Sequence, residues 1–261
     1  MAVASIEIAC FRGDNPPSLL ERDANGYCWC IVGAFDILTR NGGFYPMDDF
    51  IMSMFEPTSP FMRRVKERNC VGELDHPDVS ELKSSAQKIA RMRKIDLSRE
   101  AVHHAEFKID VIKDEYGKSI YAVRSRLKPS GPYEDSLERK LNNPEQNVCF
   151  SIRSITLDDV IQNQLVKKVR EIITYDVVSE GGVKTANKHD TANLGLEDLR
   201  DGPQLEVVQS IKFTPNDLDA AILASKSSGM GLESEHSRLT YVKDALGWNK
   251  IQVVNSNFLK W

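Results

Sequence analysis

Apolar residues recur along much of the chain in short alternating or continuous runs, a pattern typical of β-strands. In one such run, the apolar Phe107, Ile109 and Val111 alternate with charged neighbours. Other runs are rich in aromatic and β-branched residues, which strands favour. The predicted strands are residues 27–38, 70–74, 101–114, 119–127, 148–155 and 170–178.

Helical signals lie between these strands. Ser59-Pro60 is a typical helix start because proline at the first helical position needs no hydrogen-bond donor. Residues 156–159 match a capping box, which predicts a helix over the segment that follows. The predicted helices are residues 48–55, 60–69, 78–94, 135–141, 157–168 and 216–226.

Strands therefore dominate, and few β–α–β alternations occur. This order of elements predicts an α+β fold, mainly an antiparallel β-barrel surrounded by helices. Serines and glycines at residues 227–231 indicate a hinge. We therefore expect one domain over residues 1–226 and a C-terminal tail over residues 227–261.

The composition limits which kinds of protein this chain can be. The 261 residues are 41% hydrophobic and 28% charged, which is typical of a globular chain. With 34 basic and 38 acidic residues, the net charge of -4 predicts no nucleic-acid partner. No apolar stretch approaches the roughly 18 residues of a membrane span, and the N-terminus lacks a basic signal region. Five cysteines without a paired framework favour a reducing compartment.

The common metal and phosphate motifs do not occur in the sequence, so we expect no metal and no cofactor. Cys28 and Cys30 form a C-x-C, but no second pair or nearby histidine accompanies them. We expect both to be buried as small apolar residues. His103 and His104 would point to opposite faces of a strand, which argues against a chelating pair.

Nucleophilic catalysis remains open. Ser151 lies inside an apolar strand, and Asp176 is an acid inside another, where an unpaired carboxylate would be costly to bury. His76 follows a predicted strand end, where rigid folds often present functional groups. The alternatives are a serine bonded to the backbone and an acid on a solvated face. Spacing alone does not decide between these interpretations.

Six segments, in order, resemble the prohead maturation proteases of tailed bacteriophages. GELDHP is the most specific, since G-E-L-x-H-P carries the catalytic histidine of that family. The nucleophile of the family lies in a G-V-S-S-R-G strand, from which this chain departs at Cys149, Ile152 and Ser154. The matching segments are TRNGGFYP (39–46), GELDHP (72–77), VHHAEFKI (102–109), EYGKSIYA (115–122), CFSIRS (149–154) and ITYDVVSE (173–180).

The resemblance implies a serine endopeptidase with the fold of the herpesvirus capsid protease, assemblin. His76 would be the general base for Ser151. Asp176 is the expected orienting group, and His104 is the alternative, because the herpesvirus relatives use a second histidine.

The two residues that follow Ser151 are also candidate site residues. Backbone N–H groups at Ile152 and Arg153 would form the oxyanion hole. An exposed strand arginine is the alternative interpretation of Arg153.

The family cleaves scaffold or core and capsid proteins after glutamate, and it removes its own ends. The resemblance thus implies those substrates, and a location inside the immature prohead in the host cytoplasm. It also predicts self-cleavage after Glu233 or Glu235, just past the hinge. The alternative there is a plain linker to a C-terminal helix. Whether the chain forms a homo-oligomer stays open.

Two further hypotheses compete with the serine protease. In the first, the chain is an inactive prohead core or scaffold protein with a protease-like fold, which the altered serine motif allows. In the second, Cys149 is the nucleophile and His76 its base.

Overall fold

A computed structural model describes residues 4–11, 20–38, 43–113, 118–178, 188, 205–227 and 233–250. The strands are β1 (Ala4–Phe11), β2 (Cys28–Phe35), β3 (Ile37–Leu38), β4 (Gly43–Tyr45), β5 (Val71–Glu73), β6 (Glu100–Lys113), β7 (Ser119–Pro129), β8 (Cys149–Ile161), β9 (Gln164–Val178) and β10 (Leu205–Phe213). The helices are α1 (Asp49–Met54), α2 (Pro60–Lys66), α3 (Ser85–Arg93), α4 (Glu134–Asn142), α5 (Pro215–Ser227) and α6 (Glu233–Ala245). Short 3-10 turns occupy Leu97–Arg99, Gly131–Tyr133 and Trp248–Lys250.

The described strands form two open sheets. One has the order β10-β1-β8-β9-β4-β3 and the other the order β2-β7-β6-β5. All neighbours are antiparallel except β4 and β9. The sheets meet where Leu74, just past β5, forms a parallel bridge with Val177 of β9. The α+β class is confirmed, whereas the predicted barrel is not, because neither sheet closes on itself within the described residues.

The predicted helix over residues 157–168 is wrong. This segment is the tip of the long β8–β9 hairpin, and Gln162 and Asn163 form its two-residue turn with φ of 50° and 65°. Positive φ at both turn positions is what a type I′ hairpin requires. Ion pairs between the strands, Asp158–Lys167 and Asp159–Lys168, use the aspartates that imitate a helix cap in sequence.

Most other predicted elements are confirmed, with shifted ends. Helix α3 begins seven residues later than expected, because Ser84 and Gln87 form a reciprocal capping box there. Ser59 caps α2, and its hydroxyl accepts a bond from the Met62 N–H. Strands β1 and β10 had no sequence prediction.

Buried apolar residues form two clusters. The first lies between the two sheets and includes Phe35, Phe61, Phe107 and Tyr175. The second lies between the larger sheet and helices α3, α5 and α6. It includes these residues: Ile89, Met92, Phe213, Leu218, Leu239, Val242 and Trp248.

Helix α6 and the 3-10 turn after it belong to the second cluster. Leu239 and Val242 are buried, and the Trp248 ring meets the Phe213 ring edge-on at 5.6 Å. Residues 233–250 therefore pack on the body of the protein. The domain boundary at residues 226 and 227 stays a prediction. Within the described ranges, no helix is long and apolar enough to cross a membrane.

Candidate active site

Ser151 lies near the start of β8, between two neighbouring strands. In the sheet register it faces Asp176 of β9 on one side and Cys10 of β1 on the other. Its exposed fraction is 0%. The candidate nucleophile is therefore next to a buried acid and closed to solvent in this conformation.

The GELDHP segment reaches the same end of β9. Leu74 bridges Val177, and the Asp75 N–H donates to the Val177 carbonyl at 2.7 Å. Val177 also pairs with Phe150 on its other side. Because neighbouring strands lie about 4.8 Å apart, this pairing places the backbone just before His76 two strand spacings, about 10 Å, from β8.

Glycine at the start of the motif permits this close approach of β5 and β9. A Cβ atom on Gly72 would lie 2.1 Å from the Tyr175 carbonyl oxygen. On the preceding residue, the Val71 carbonyl accepts a bond from the Thr174 hydroxyl at 2.7 Å. Any larger residue at position 72 would push β5, the strand that precedes His76, away from β9.

The backbone around His76 is tightly defined. Asp75 has a φ of 64°, a left-handed conformation that aspartate tolerates better than most residues. Its Oδ1 accepts a bond from the His76 N–H at 3.0 Å. The following proline, Pro77, favours an extended backbone at His76.

The electrostatic surroundings keep the His76 imidazole neutral. Burial lowers its pKa to about 4, while Asp75 raises the pKa and Arg153 lowers it. A neutral imidazole at pH 7 is the form that a general base requires.

Asp176 is a fully buried carboxylate with strong partners. Arg153 donates from Nε to Oδ2 and from Nη2 to Oδ1, each at 2.8 Å, and the Glu73 N–H donates to Oδ1 at 2.9 Å. Burial raises the pKa of Asp176 above its ordinary value, and Arg153 and the Glu73 N–H offset only part of that rise. The two-contact geometry is typical of an ionised carboxylate, and the solvated-face interpretation is wrong.

Arg153 is also fully buried, so the interpretation as an exposed arginine is wrong. Besides Asp176, it donates from Nη1 to Glu73 Oε1 at 3.2 Å and to the Met92 carbonyl at 3.3 Å. Ile152 and Arg153 both pair with β1 and with β9. Since a central strand directs its N–H groups at its neighbours, an oxyanion hole here requires a local separation of strands. That assignment stays a prediction.

His104 has the contacts of a core polar residue. Its Nε2–H donates to the Tyr175 carbonyl at 2.9 Å, because that oxygen can only accept. Nδ1 then accepts from the Ser125 hydroxyl at 2.8 Å. Burial lowers the pKa of His104 to about 4. These contacts do not favour His104 over Asp176 as the orienting group.

Glu73 is a site residue to which sequence reasoning assigned no role. It is fully buried, and its carboxylate accepts bonds from Arg91 at 3.1 and 2.8 Å and from the Asp96 N–H at 2.8 Å. Burial raises the pKa of Glu73, but Arg91 and Arg153 outweigh it and hold the pKa below its ordinary value. The available signal was an acid inside an apolar strand, the same signal that singled out Asp176.

The remaining candidates are the cysteines and the glutamates of the predicted cleavage points. Cys149 is buried on β8 opposite Val178. Cys28 and Cys30 are buried on β2 with their sulfur atoms 4.0 Å apart. Glu233 and Glu235 lie in the first turn of α6, so the predicted cleavage points are in helical backbone and not in an open linker.

Comparisons with known proteins agree with the motif resemblance. The model of the peptidase S80 family matches residues 6–244. The capsid maturation protease of Pseudomonas phage phiKZ is 35% identical over 243 residues, which cover 91% of this chain and 86% of that protein. The solved capsid assembly protease of bacteriophage T4 is 14% identical with a TM-score of 0.41, covering 68% of this chain and 99% of that chain. The family match and the phiKZ relative confirm the resemblance to phage prohead proteases: the chain belongs to the peptidase S80 family.

Proposed function

We propose that this protein is a serine endopeptidase that processes scaffold or core proteins and the major capsid protein inside the immature prohead of a phage. Family membership and the phiKZ capsid maturation protease support the peptidase activity and its setting. The observation that carries the residue assignment is the bridge between Leu74 and Val177. It joins the histidine motif to the strand that pairs with Ser151.

In the proposed reaction, the His76 imidazole takes the proton from Ser151 Oγ as that oxygen attacks the scissile carbonyl carbon. His76 then gives this proton to the departing amine, which leaves an acyl group on Ser151. A water molecule, deprotonated by His76, hydrolyses the acyl bond and restores the serine. Because Ser151 has no exposed surface here, substrate binding requires a local opening of the site.

We propose Asp176 as the acid that orients and stabilises the His76 imidazolium. Its two-contact pair with Arg153 supports this choice, because a carboxylate fixed on β9 offers a negative charge of constant position. His104 is the less favoured candidate, since its two ring nitrogens bond to Ser125 and Tyr175.

The finer parts of the proposal rest on the family resemblance. They are the herpesvirus-protease-like fold relationship, cleavage after glutamate, and action inside the prohead within the host cytoplasm. They also include self-cleavage after Glu233 or Glu235. Such cleavage would release most of α6, which contributes Leu239 and Val242 to the second apolar cluster.

Peptide cleavage tests this function. Purified protein is incubated at pH 7 with matched peptides that carry Glu, Gln or Asp at one position, and products are identified by mass. We expect the wild type and Cys149→Ala to cut after Glu, and Ser151→Ala to cut nothing. Activity that survives Ser151→Ala but not Cys149→Ala would favour the thiol mechanism. A wild type that cuts neither peptides nor co-expressed capsid and core proteins would favour the inactive core protein.

A further inference from the structure

Five charged side chains form a network directly behind the His76 segment. Three of them have no exposed surface, and the two arginines at the rim are 21% and 36% exposed. Burial of charge carries a desolvation cost that apolar packing avoids, so the network needs an explanation beyond stability. We call it the Glu73 network, and its members are Glu73, Arg91, Arg99, Arg153 and Asp176.

Glu73 is bonded through both its backbone and its side chain. Its N–H donates to Asp176 on β9, and its carboxylate binds Arg91 of α3 and the Asp96 N–H just past that helix. Arg153 of β8 joins the two acids, since it contacts Glu73 Oε1 and both oxygens of Asp176. One network thus connects the strand before His76 to the strands that carry Ser151 and Asp176.

The chain between Glu73 and His76 is fixed at each residue. The Leu74 N–H donates to the Arg99 carbonyl at 2.8 Å, and Arg99 Nη2 donates to the Leu74 carbonyl at 2.6 Å. The Asp75 N–H then donates to Val177 at 2.7 Å. With Glu73 anchored, little backbone freedom remains before His76.

We propose that Glu73 and Arg153 are positioning residues, which hold the His76 backbone against β9 so that the imidazole meets Ser151. This inference rests on the proposed roles of His76 and Ser151. A misplacement of a catalytic group by about 1 Å costs up to about 100-fold in rate. Loosening the network therefore lowers kcat, while substrate binding is unchanged.

The competing explanation is that the network only stabilises the fold. A matched ion pair separates the two explanations, because Arg93 and Glu171 also join α3 to β9 through two hydrogen bonds. Their side chains are 4% and 15% exposed. Glu171 lies five residues before Asp176 along the same strand, and its carboxylate binds Arg93 and not Arg153.

The experiment compares Glu73→Gln with Glu171→Gln on the peptide that the wild type cleaves fastest. We expect Glu73→Gln to lower kcat at least 10-fold with KM within twofold. Glu171→Gln should leave kcat within twofold, although its melting temperature falls as well. At the rim, Arg91→Lys should keep most of the activity that Arg91→Met loses, because lysine preserves the charge facing Glu73.

Equal loss of kcat in Glu73→Gln and Glu171→Gln would overturn the inference, and so would an unchanged kcat in Glu73→Gln. If Glu73→Gln does not fold, the Arg91→Lys and Arg91→Met pair decides, since Arg91 lies at the rim. A parallel assay of Ser151→Ala shows whether the proposed function or only the positioning role fails. If Ser151→Ala remains active, the proposed function itself is wrong. If Ser151→Ala is inactive while Glu73→Gln keeps its activity, only the positioning role is wrong.

Discussion

At the scale of single residues, the site combines a neutral histidine with buried charges. His76 follows an aspartate in a left-handed conformation and precedes a proline, so its backbone is constrained on both sides. Asp176 is held by Arg153 and not exposed to water. The local chemistry is therefore set by burial and by partners that lie far away in sequence.

The pH dependence of activity should report the partly desolvated environment of His76. Because its pKa is lowered to about 4, the neutral base persists well below the 6.5 of an exposed imidazole. We expect the acid limb of kcat/KM to have its midpoint near pH 4 to 5. A midpoint near 6.5 would contradict this environment.

Unfolding at low pH limits that measurement, because the same histidines make the fold less stable as the pH falls. His76 and His104 both bind protons more weakly when folded than when unfolded. The free energy of unfolding therefore falls as the pH drops from about 6.5 towards 4. Circular dichroism at each pH provides the control, and only points at which the protein is folded count.

At the scale of elements, the approach of β5 to β9 is the key contact. It depends on Gly72, on the Leu74–Val177 bridge, and on the Thr174 hydroxyl that binds Val71. The two sheets meet at this contact, and the histidine motif leaves β5 there.

Gly72→Ala should separate these strands, because the added Cβ would lie 2.1 Å from a backbone oxygen that cannot rotate away. We expect a loss of about 1–3 kcal/mol in unfolding free energy and at least a 10-fold loss of kcat. Urea unfolding and peptide cleavage measure the two effects.

Gly33→Ala is the matched control, since its Cβ would meet the ring of Tyr175 at 2.9 Å instead of its backbone. It should lower stability while kcat stays within twofold. If both variants lose kcat alike, the β5–β9 contact has no special role in catalysis.

The sequence predicted those strands and helices whose signals lie within a few neighbouring residues. The aromatic and β-branched runs predicted β2, β6 and β7, and Ser59-Pro60 predicted the start of α2. The hairpin tip was missed because Thr156, Asp158 and Asp159 imitate a cap. In the structure the Thr156 hydroxyl donates to Asp158 on the same strand, and both aspartates pair with lysines of β9. The burial of Arg153 was not predictable, since it depends on two acids that are 80 and 23 residues away.

At the scale of the whole molecule, the C-terminal segment is part of the packed structure. Helix α6 contributes Leu239 and Val242 to the second cluster, and Lys243 pairs with Asp219 of α5. The predicted cleavage points in its first turn are therefore accessible only when that turn opens.

Weakening the packing of α6 should speed self-cleavage. Leu239→Ala removes a buried side chain worth about 2–5 kcal/mol, which raises the population of the opened helix. We expect mass loss at Glu233 or Glu235 to be at least 10-fold faster than in the wild type. Leu223→Ala on α5 is the control, because Leu223 is 66% exposed and should change nothing. Identical rates in Leu239→Ala and wild type would show that cleavage does not require opening of α6.

The central claim is that His76 activates Ser151, and covalent labelling tests it most directly. The full chain is incubated with a fluorophosphonate, which reacts with activated serines, and the adduct is located by mass spectrometry of peptides. The account predicts one adduct on Ser151 in the wild type and none in His76→Ala, while circular dichroism shows both proteins folded. An adduct on Ser154 or another serine, or undiminished labelling of Ser151 in His76→Ala, would contradict it.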